Sequence, residues 1–417
     1  MDWFETYESD IRAYCRSYPA VFVSARNARQ TDENGKEYID FFAGAGVLNF
    51  GHNHPKLKQA VIEYMQADGV LHTLDMMTSV KREFIKGFVE TILKPRNMDY
   101  KLQFMGPTGT NAVEAALKLA RRVTGRSNVV AFSQGFHGMT LGALACTANE
   151  YFRNAAGAPL CQVSHWPFDT NEGGGVQSLK TLRALYENSS GGTEKPAAFI
   201  VESLQAEGGV NAASTEWLQE LQQLARDLGA LLIVDDIQSG CGRTGRYFSF
   251  EESGIDPDIV TLAKGIGGLG TPLAMNLVKP EHDKHWQPGE HTGTFRGQSI
   301  SFVAGREALR FFEDDSLLAD TRRKGEIMAA HLAGIAEKFI SRGFTARGVG
   351  MMQALATGDG ALAKAIARDC FDHGMLFGPC GVGGSVIKLI PPLTIPDNDL
   401  NEGLAILSAA VDRQMEA

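Results

Sequence analysis

The chain has 417 residues, of which 44% are hydrophobic and 21% charged, and its 40 basic and 49 acidic residues give a formal net charge of −9. That length allows two to three domains around a large core, and that composition excludes a mainly disordered, collagenous or coiled-coil protein. An acidic balance disfavours non-specific attraction to nucleic acid or to an anionic membrane face, which leaves small-molecule chemistry as the expected activity.

The first stretch, residues 1–56, carries the turn cluster Asp32-Glu33-Asn34-Gly35-Lys36 between two short apolar runs, followed by Gly44-Ala45-Gly46. It reads as a small strand-rich segment. From residue 57 to 312 helix and strand patterns alternate, the signature of an α/β domain on a mostly parallel sheet flanked by helices. A helix is predicted over 111–124, where Val113, Ala116, Leu117, Ala120 and Val123 recur at three- and four-residue spacing, with Asn111 as cap and Glu114 as its partner. Strands are predicted over 128–132, 197–202 and 230–235, each rich enough in Val, Ile, Leu and Phe to be buried on both faces. A second amphipathic helix, 215–228, stops at Gly229 and joins two of those strands as a crossover should. Residues 313–417 change pattern again: helices over 317–339 and 360–374, a strand over 385–390 and a final helix from 397. This is the expected C-terminal part of a smaller α+β domain that takes its strands from both termini.

Six cysteines, Cys15, Cys146, Cys161, Cys241, Cys370 and Cys380, form no C-x-x-C pair. Neither a zinc ribbon nor a disulfide framework is indicated, and a reducing compartment fits. With no signal-like N-terminus and no run of eighteen apolar residues, the chain reads as cytoplasmic, with no membrane partner. His282 and His285 have helical spacing but sit among surface charges, so no metal site is expected.

Three motifs point to chemistry. Leu231-Leu232-Ile233-Val234-Asp235-Asp236 is an apolar strand ending in two acids, and ligands of open α/β sheets bind beyond the carboxyl ends of strands. The next strand, Ile259-Val260-Thr261-Leu262, delivers Lys264 between Ala263 and Gly265 at the same edge, where desolvation makes a lysine nucleophilic. Gly106-Pro107-Thr108-Gly109-Thr110-Asn111 offers hydroxyls and backbone amides at a helix start, a place suited to a phosphate. No Walker lysine follows, which argues against a nucleoside triphosphate, and Gly44-Ala45-Gly46 lacks the strand–turn–helix setting of a dinucleotide fingerprint. Phe136 in Gly135-Phe136-His137-Gly138 adds an aromatic face. A phosphate cradle, an aromatic platform, a carboxylate for a pyridinium nitrogen and a lysine for a Schiff base together describe pyridoxal 5′-phosphate.

On these residues the chain resembles, essentially from end to end, the class III aminotransferases of fold type I. The stretch from Val234 through Gln238, Gly242-Arg243-Thr244-Gly245 and Pro257-Asp258-Ile259 to Lys264 is similar to the family signature in order and spacing. The resemblance implies that Lys264 bonds to the cofactor and shuttles the proton, that Asp235 keeps the pyridine nitrogen protonated, that Gln238 faces the phenolic oxygen and that Phe136 stacks on the ring. It implies a phosphate loop at Thr108, Gly109 and Thr110. Thr294, in Gly293-Thr294-Phe295, matches a threonine that reaches the phosphate of a neighbouring subunit, so a homodimer or higher oligomer with shared active sites is implied.

The chain also departs from the family. Glu207 matches a glutamate that commonly pairs with an arginine before a Pro-Pro-Leu run, but here Lys388 precedes Pro391-Pro392-Leu393, and lysine cannot grip a carboxylate bidentately. Met139 stands where many relatives have arginine, Asp236 where glutamate is usual, and Ala45 where the ornithine enzymes look aromatic. Arg296, two residues past Thr294, is the nearest replacement cation by sequence. Within the family, the strings 40–46, 106–116, 136–144 and 293–297 resemble the branch of diaminobutyrate–2-oxoglutarate aminotransferases of ectoine biosynthesis. That branch implies exchange of the terminal amine of L-2,4-diaminobutyrate with glutamate and 2-oxoglutarate. 4-Aminobutyrate, ornithine or acetylornithine are the alternative donors, and a regulator or an oxidoreductase the rivals from other classes.

Overall fold

The computed structural model describes residues 3–416. Its centre is a seven-stranded sheet in the order Lys101–Phe104, Met275–Val278, Ile259–Leu262, Leu231–Asp235, Ala198–Val201, Val129–Phe132 and Val163–Trp166. Neighbours from 259–262 through 163–166 pair in parallel, and Met275–Val278 runs antiparallel to both of its neighbours. The middle strands are buried at every position, which is why they are continuous apolar runs rather than alternating ones.

Helices cover the sheet for local reasons. Thr215–Leu228 starts where the Ser214 hydroxyl accepts from the amide of Trp217 at 3.3 Å, and it ends at Gly229, whose φ of +61° suits a residue without a Cβ. Its buried face is Trp217, Leu218, Leu221, Leu224, Ala225 and Leu228. The other main helix spans Gly109–Thr124, so it begins two residues before the predicted start and its cap position is Thr108, not Asn111. Asn111 lies inside the first turn and accepts from the Thr108 hydroxyl at 2.8 Å. Glu114 does not fold back onto a cap: its carboxylate accepts from the amides of Gly142 and Ala143 at 2.9 and 3.1 Å and from the Thr140 hydroxyl. A short-range capping pattern is thus used for a long-range clasp.

Two smaller sheets flank this core. In one, Phe22–Arg26, Arg29–Asp32 and Glu37–Asp40 are joined in parallel by Met375–Leu376, so the start of the chain and its C-terminal third share a sheet. The turn at 32–36 forms because Asp32 Oδ1 accepts from the amides of Asn34 and Lys36, both at 2.9 Å, while Gly35 takes φ +82°. The other sheet orders Thr345–Val349, Met352–Ala356, Val386–Leu389 and Gly378–Cys380. It carries Lys388 opposite Ala354 on one side and Gly378 on the other. Among the described residues, no helix is long and apolar enough to cross a membrane.

Candidate active site

Adjacent parallel strands have their carboxyl ends at one edge, and that edge holds the site. Asp235 ends its strand, buried at 3% exposure, and its Oδ2 accepts from His137 Nδ1 at 2.8 Å while Oδ1 accepts from the amide of Ile237 at 3.2 Å. The carboxylate holds the buried imidazole above the ordinary histidine range, against a burial cost that acts the other way. Lys264 follows Ile259–Leu262 by two residues and adopts φ +51°, a left-handed conformation that a side chain with a Cβ adopts only under constraint. Burial pulls its amine down to about 8, opposed by Glu207, Asp235 and Glu202 and assisted by Lys388. A cavity opens among Lys264, Asp235, Gln238, Phe136, Gly109 and Glu207.

One wall is the start of helix Gly109–Thr124. Amides at a helix start have no carbonyl behind them in the helix, so those of Gly109 and Thr110 suit an anion. Gly109 is fixed as glycine by crowding, since a Cβ there would lie 2.9 Å from Ile237 Cδ1. Thr110 Oγ1 meets Thr140 Oγ1 at 2.6 Å, and a Cβ on Gly138 would collide with it. Thr108 stands one residue outside the cavity lining.

Charges adjoin the lining at Glu207 and Gln238. Lys388, 1% exposed, donates to Glu207 Oε1 and, at 2.9 Å, to Gln238 Oε1. Gln238 Nε2 in turn donates to the Ala45 carbonyl at 2.9 Å and to Glu207 Oε1 at 3.2 Å. Lys388 holds the Glu207 carboxyl below its ordinary range despite burial, and Glu207 holds the Lys388 ammonium above its own despite burial. Ala45 takes φ +59° in the tight turn Ala43–Gly46 and adds no bulk there.

The structure therefore brings together Lys264, Asp235, Gln238, Phe136, Gly109, Thr110, Glu207, Lys388 and Ala45. Two predicted residues are placed elsewhere. Thr294 is exposed, and its carbonyl accepts from His72 Nε2 at 2.8 Å. Arg296 is not delivered to the cavity of its own chain: its Nε donates to the Phe104 carbonyl at 3.1 Å and Nη1 lies 3.6 Å from Asp75. Sequence proximity to Thr294 could not reveal that a neighbouring strand and an aspartate claim this guanidinium. His137 and Glu202 are participants that the sequence reasoning did not single out. An acid just past a buried strand was the available signal for Glu202, as it was for Asp235.

These residues fit pyridoxal phosphate: a buried carboxylate–imidazole pair for a cationic ring nitrogen, an amine of lowered basicity and a helix start for the phosphate. The family model described as aminotransferase class-III matches residues 13–411. The diaminobutyrate–2-oxoglutarate transaminase of Nocardia farcinica is 50% identical over 410 residues, covering 98% of this chain and 93% of that protein. The protein of the same name from Marinococcus halophilus is 49% identical over 409 residues, covering 98% and 96%. Among solved structures, the ornithine aminotransferase of Toxoplasma gondii superposes with a TM-score of 0.86 at 26% identity, covering 99% of this chain and 94% of that one. The chain belongs to the class III aminotransferases of fold type I and is an enzyme that works with pyridoxal 5′-phosphate.

Proposed function

We propose that this enzyme moves an amino group between the terminal amine of L-2,4-diaminobutyrate and 2-oxoglutarate, with aspartate 4-semialdehyde and glutamate as the other pair, in either direction. The observation that carries the reading is half-identity, across nearly the whole chain, to relatives that bear this activity in their names. When bound, pyridoxal phosphate supplies the electron sink for the bond changes at the amine-bearing carbon. Lys264 Nζ takes and returns the proton at that carbon, and its lowered basicity keeps part of it neutral near pH 8. Asp235, oriented by His137, holds the proton on the ring nitrogen. Phe136 gives the ring a face, Gln238 a hydrogen-bonding partner, and Thr108, Gly109 and Thr110 the phosphate loop.

Substrate choice follows from the charges that adjoin the lining. Lys388, as a point charge, takes the α-carboxylate of glutamate or 2-oxoglutarate when Glu207 releases it. When a diamine enters by its terminal amine, Glu207 keeps Lys388 paired. Ala45 leaves that end open to a short chain carrying both an amine and an α-carboxylate. Diaminobutyrate labelled with ¹⁵N at its 4-amino group tests the reading. Label recovered in glutamate after incubation with 2-oxoglutarate supports it, and label retained in the amino-acid product contradicts it.

We read the chain as a large domain, 57–312, and a small domain drawn from 1–56 and 313–417, which fits the shared sheet of Glu37–Asp40 and Met375–Leu376. The working unit is a homodimer in which Thr294 serves the partner's phosphate, in keeping with its exposure away from its own cavity. Mixing Lys264→Ala with Thr294→Ala subunits then yields dimers with one whole site and regained activity; no gain on mixing contradicts sharing. A cytoplasmic place in ectoine synthesis suits six cysteines that are all free.

A further inference from the structure

Glu202 follows Ala198–Val201, whose Val201 lies beside Val234 in parallel register, so Glu202 and Asp235 are the next residues on neighbouring strands. It is 7% exposed and lines the cavity. Its two oxygens are used separately: Oε1 accepts from the amide of Phe136 at 2.9 Å, and Oε2 accepts from the amide of Ala206 at 3.2 Å. Each amide belongs to a residue next to a working group. Phe136 precedes His137, which bonds Asp235, and Ala206 precedes Glu207, which holds Lys388.

We propose that Glu202 is a positioning residue, one buried carboxylate that ties the ring platform at Phe136 to the loop carrying Glu207, so that cofactor seating and the Glu207–Lys388 pair are coupled through it. The inference rests on this cavity being the pyridoxal phosphate site. Only the ionised carboxylate presents both oxygens as full acceptors for two N–H donors. Burial pushes Glu202 up to about 7, the charge of Asp235 adds to that rise, and His137 opposes it. Lys264 is the other charged group that feels it. With the group raised, the tie is complete above about pH 7 and is lost as pH falls through that value.

The test uses the holoenzyme and two variants. Glu202→Gln keeps one acceptor but turns an NH₂ toward the second amide; Glu202→Asp keeps the charge but lacks the reach to span both. Equilibrium dialysis of pyridoxal phosphate, circular dichroism of its bound visible band and KM for glutamate are the readouts. At pH 8 both variants are expected to bind the cofactor roughly tenfold more weakly, as loss of a charge-assisted hydrogen bond implies. Their dichroic band should shrink, and KM for glutamate should rise more than kcat falls. The difference between wild type and Glu202→Gln should close as pH falls from 8 to 6, which a merely structural role would not produce. Should Glu202→Gln fail to fold, Glu202→Asp decides alone. Variants within twofold of wild type in affinity and band, or a difference that does not change with pH, overturn the inference. Wild type that takes up no pyridoxal phosphate would instead overturn the reading of the site.

Discussion

At the cofactor end of the cavity, Lys264, Asp235 and Glu202 leave three neighbouring parallel strands at one edge, so sheet register alone brings them together. At the proposed substrate end, Lys388 meets Glu207 across 181 residues and Gln238 across 150, and Gln238 reaches Ala45 across 193. The first arrangement is held by sheet register; in the second, an apolar cluster of Leu204, Ala206 and Val210 with Ala354 and Val386 holds the backbones together, and the side chains meet through a few polar contacts between separate segments. Backbone ladders do not depend on which side chains project from the edge, so substitution of a reacting group there leaves the strands paired. Polar contacts between sheets can be broken and remade during turnover, and this is what two chemically different substrates sharing one cavity require.

Substitutions at the cofactor end should therefore abolish chemistry and spare the fold. Lys264→Ala has no other group for its two roles, so turnover should fall below detection while the melting temperature stays near or above that of wild type, because a desolvated amine is removed and the backbone strain is unchanged by alanine. Steady-state assays and thermal melts read both effects. Asp235→Asn should still bind cofactor but lose roughly a thousandfold in rate, since a neutral amide cannot hold a pyridinium charge and also loses the His137 ion pair. A rate within threefold of wild type would reduce Asp235 to a structural role.

Substitution at the substrate end should split the reaction instead. Lys388→Ala leaves Glu207 with Gln238 as its remaining side-chain partner, and the loss of stability is expected to be modest because the Glu207 side chain keeps access to water. More diagnostic is the ratio of half-reactions: reaction with glutamate should slow at least ~10-fold more than reaction with diaminobutyrate, the order expected when a carboxylate loses its cation. Equal slowing of both would place Lys388 in the scaffold rather than in recognition. The smallest effect concerns pH. Lys264 is depressed to about 8, so its amine is neutral above that value and charged below it. Apoenzyme should therefore take up pyridoxal phosphate roughly fivefold faster at pH 8 than at pH 7 and gain less than about twofold more beyond, following the neutral fraction. Uptake measured by absorbance that is flat across this range would contradict the lowered basicity.

What the sequence made legible divides along the same line. Strands 230–235 and 259–262, with Asp235 and Lys264 at their ends, can be read from apolar runs, because parallel order places carboxyl ends together whatever lies around them. Lys388 and Glu207 were reached only through resemblance, as no local pattern tells a buried lysine from a surface one. The start of helix Gly109–Thr124 was misplaced because Asn111 and Glu114 spell a capping pattern, yet Glu114 is claimed by residues 140–143 folded in from outside the window. His137 has no local signal, since its partner Asp235 lies 98 residues away, whereas Glu202 stands just past a buried strand as Asp235 stands at the end of one. Arg296 is read from its nearness in sequence to Thr294, and within its own chain it lies against the Phe104 carbonyl and Asp75.

One cavity that accepts a short diamine by its terminal amine with Lys388 paired, and glutamate with Lys388 released, is the proposed basis of substrate choice. Stopped-flow mixing of the holoenzyme with single amino donors, following loss of the cofactor's visible band, tests it most directly. Fast loss is expected with L-2,4-diaminobutyrate and with glutamate, slow loss with 4-aminobutyrate, ornithine and acetylornithine, and selective slowing of glutamate in Lys388→Ala. Faster reaction with ornithine or 4-aminobutyrate than with diaminobutyrate would contradict the substrate assignment while leaving the reaction class intact.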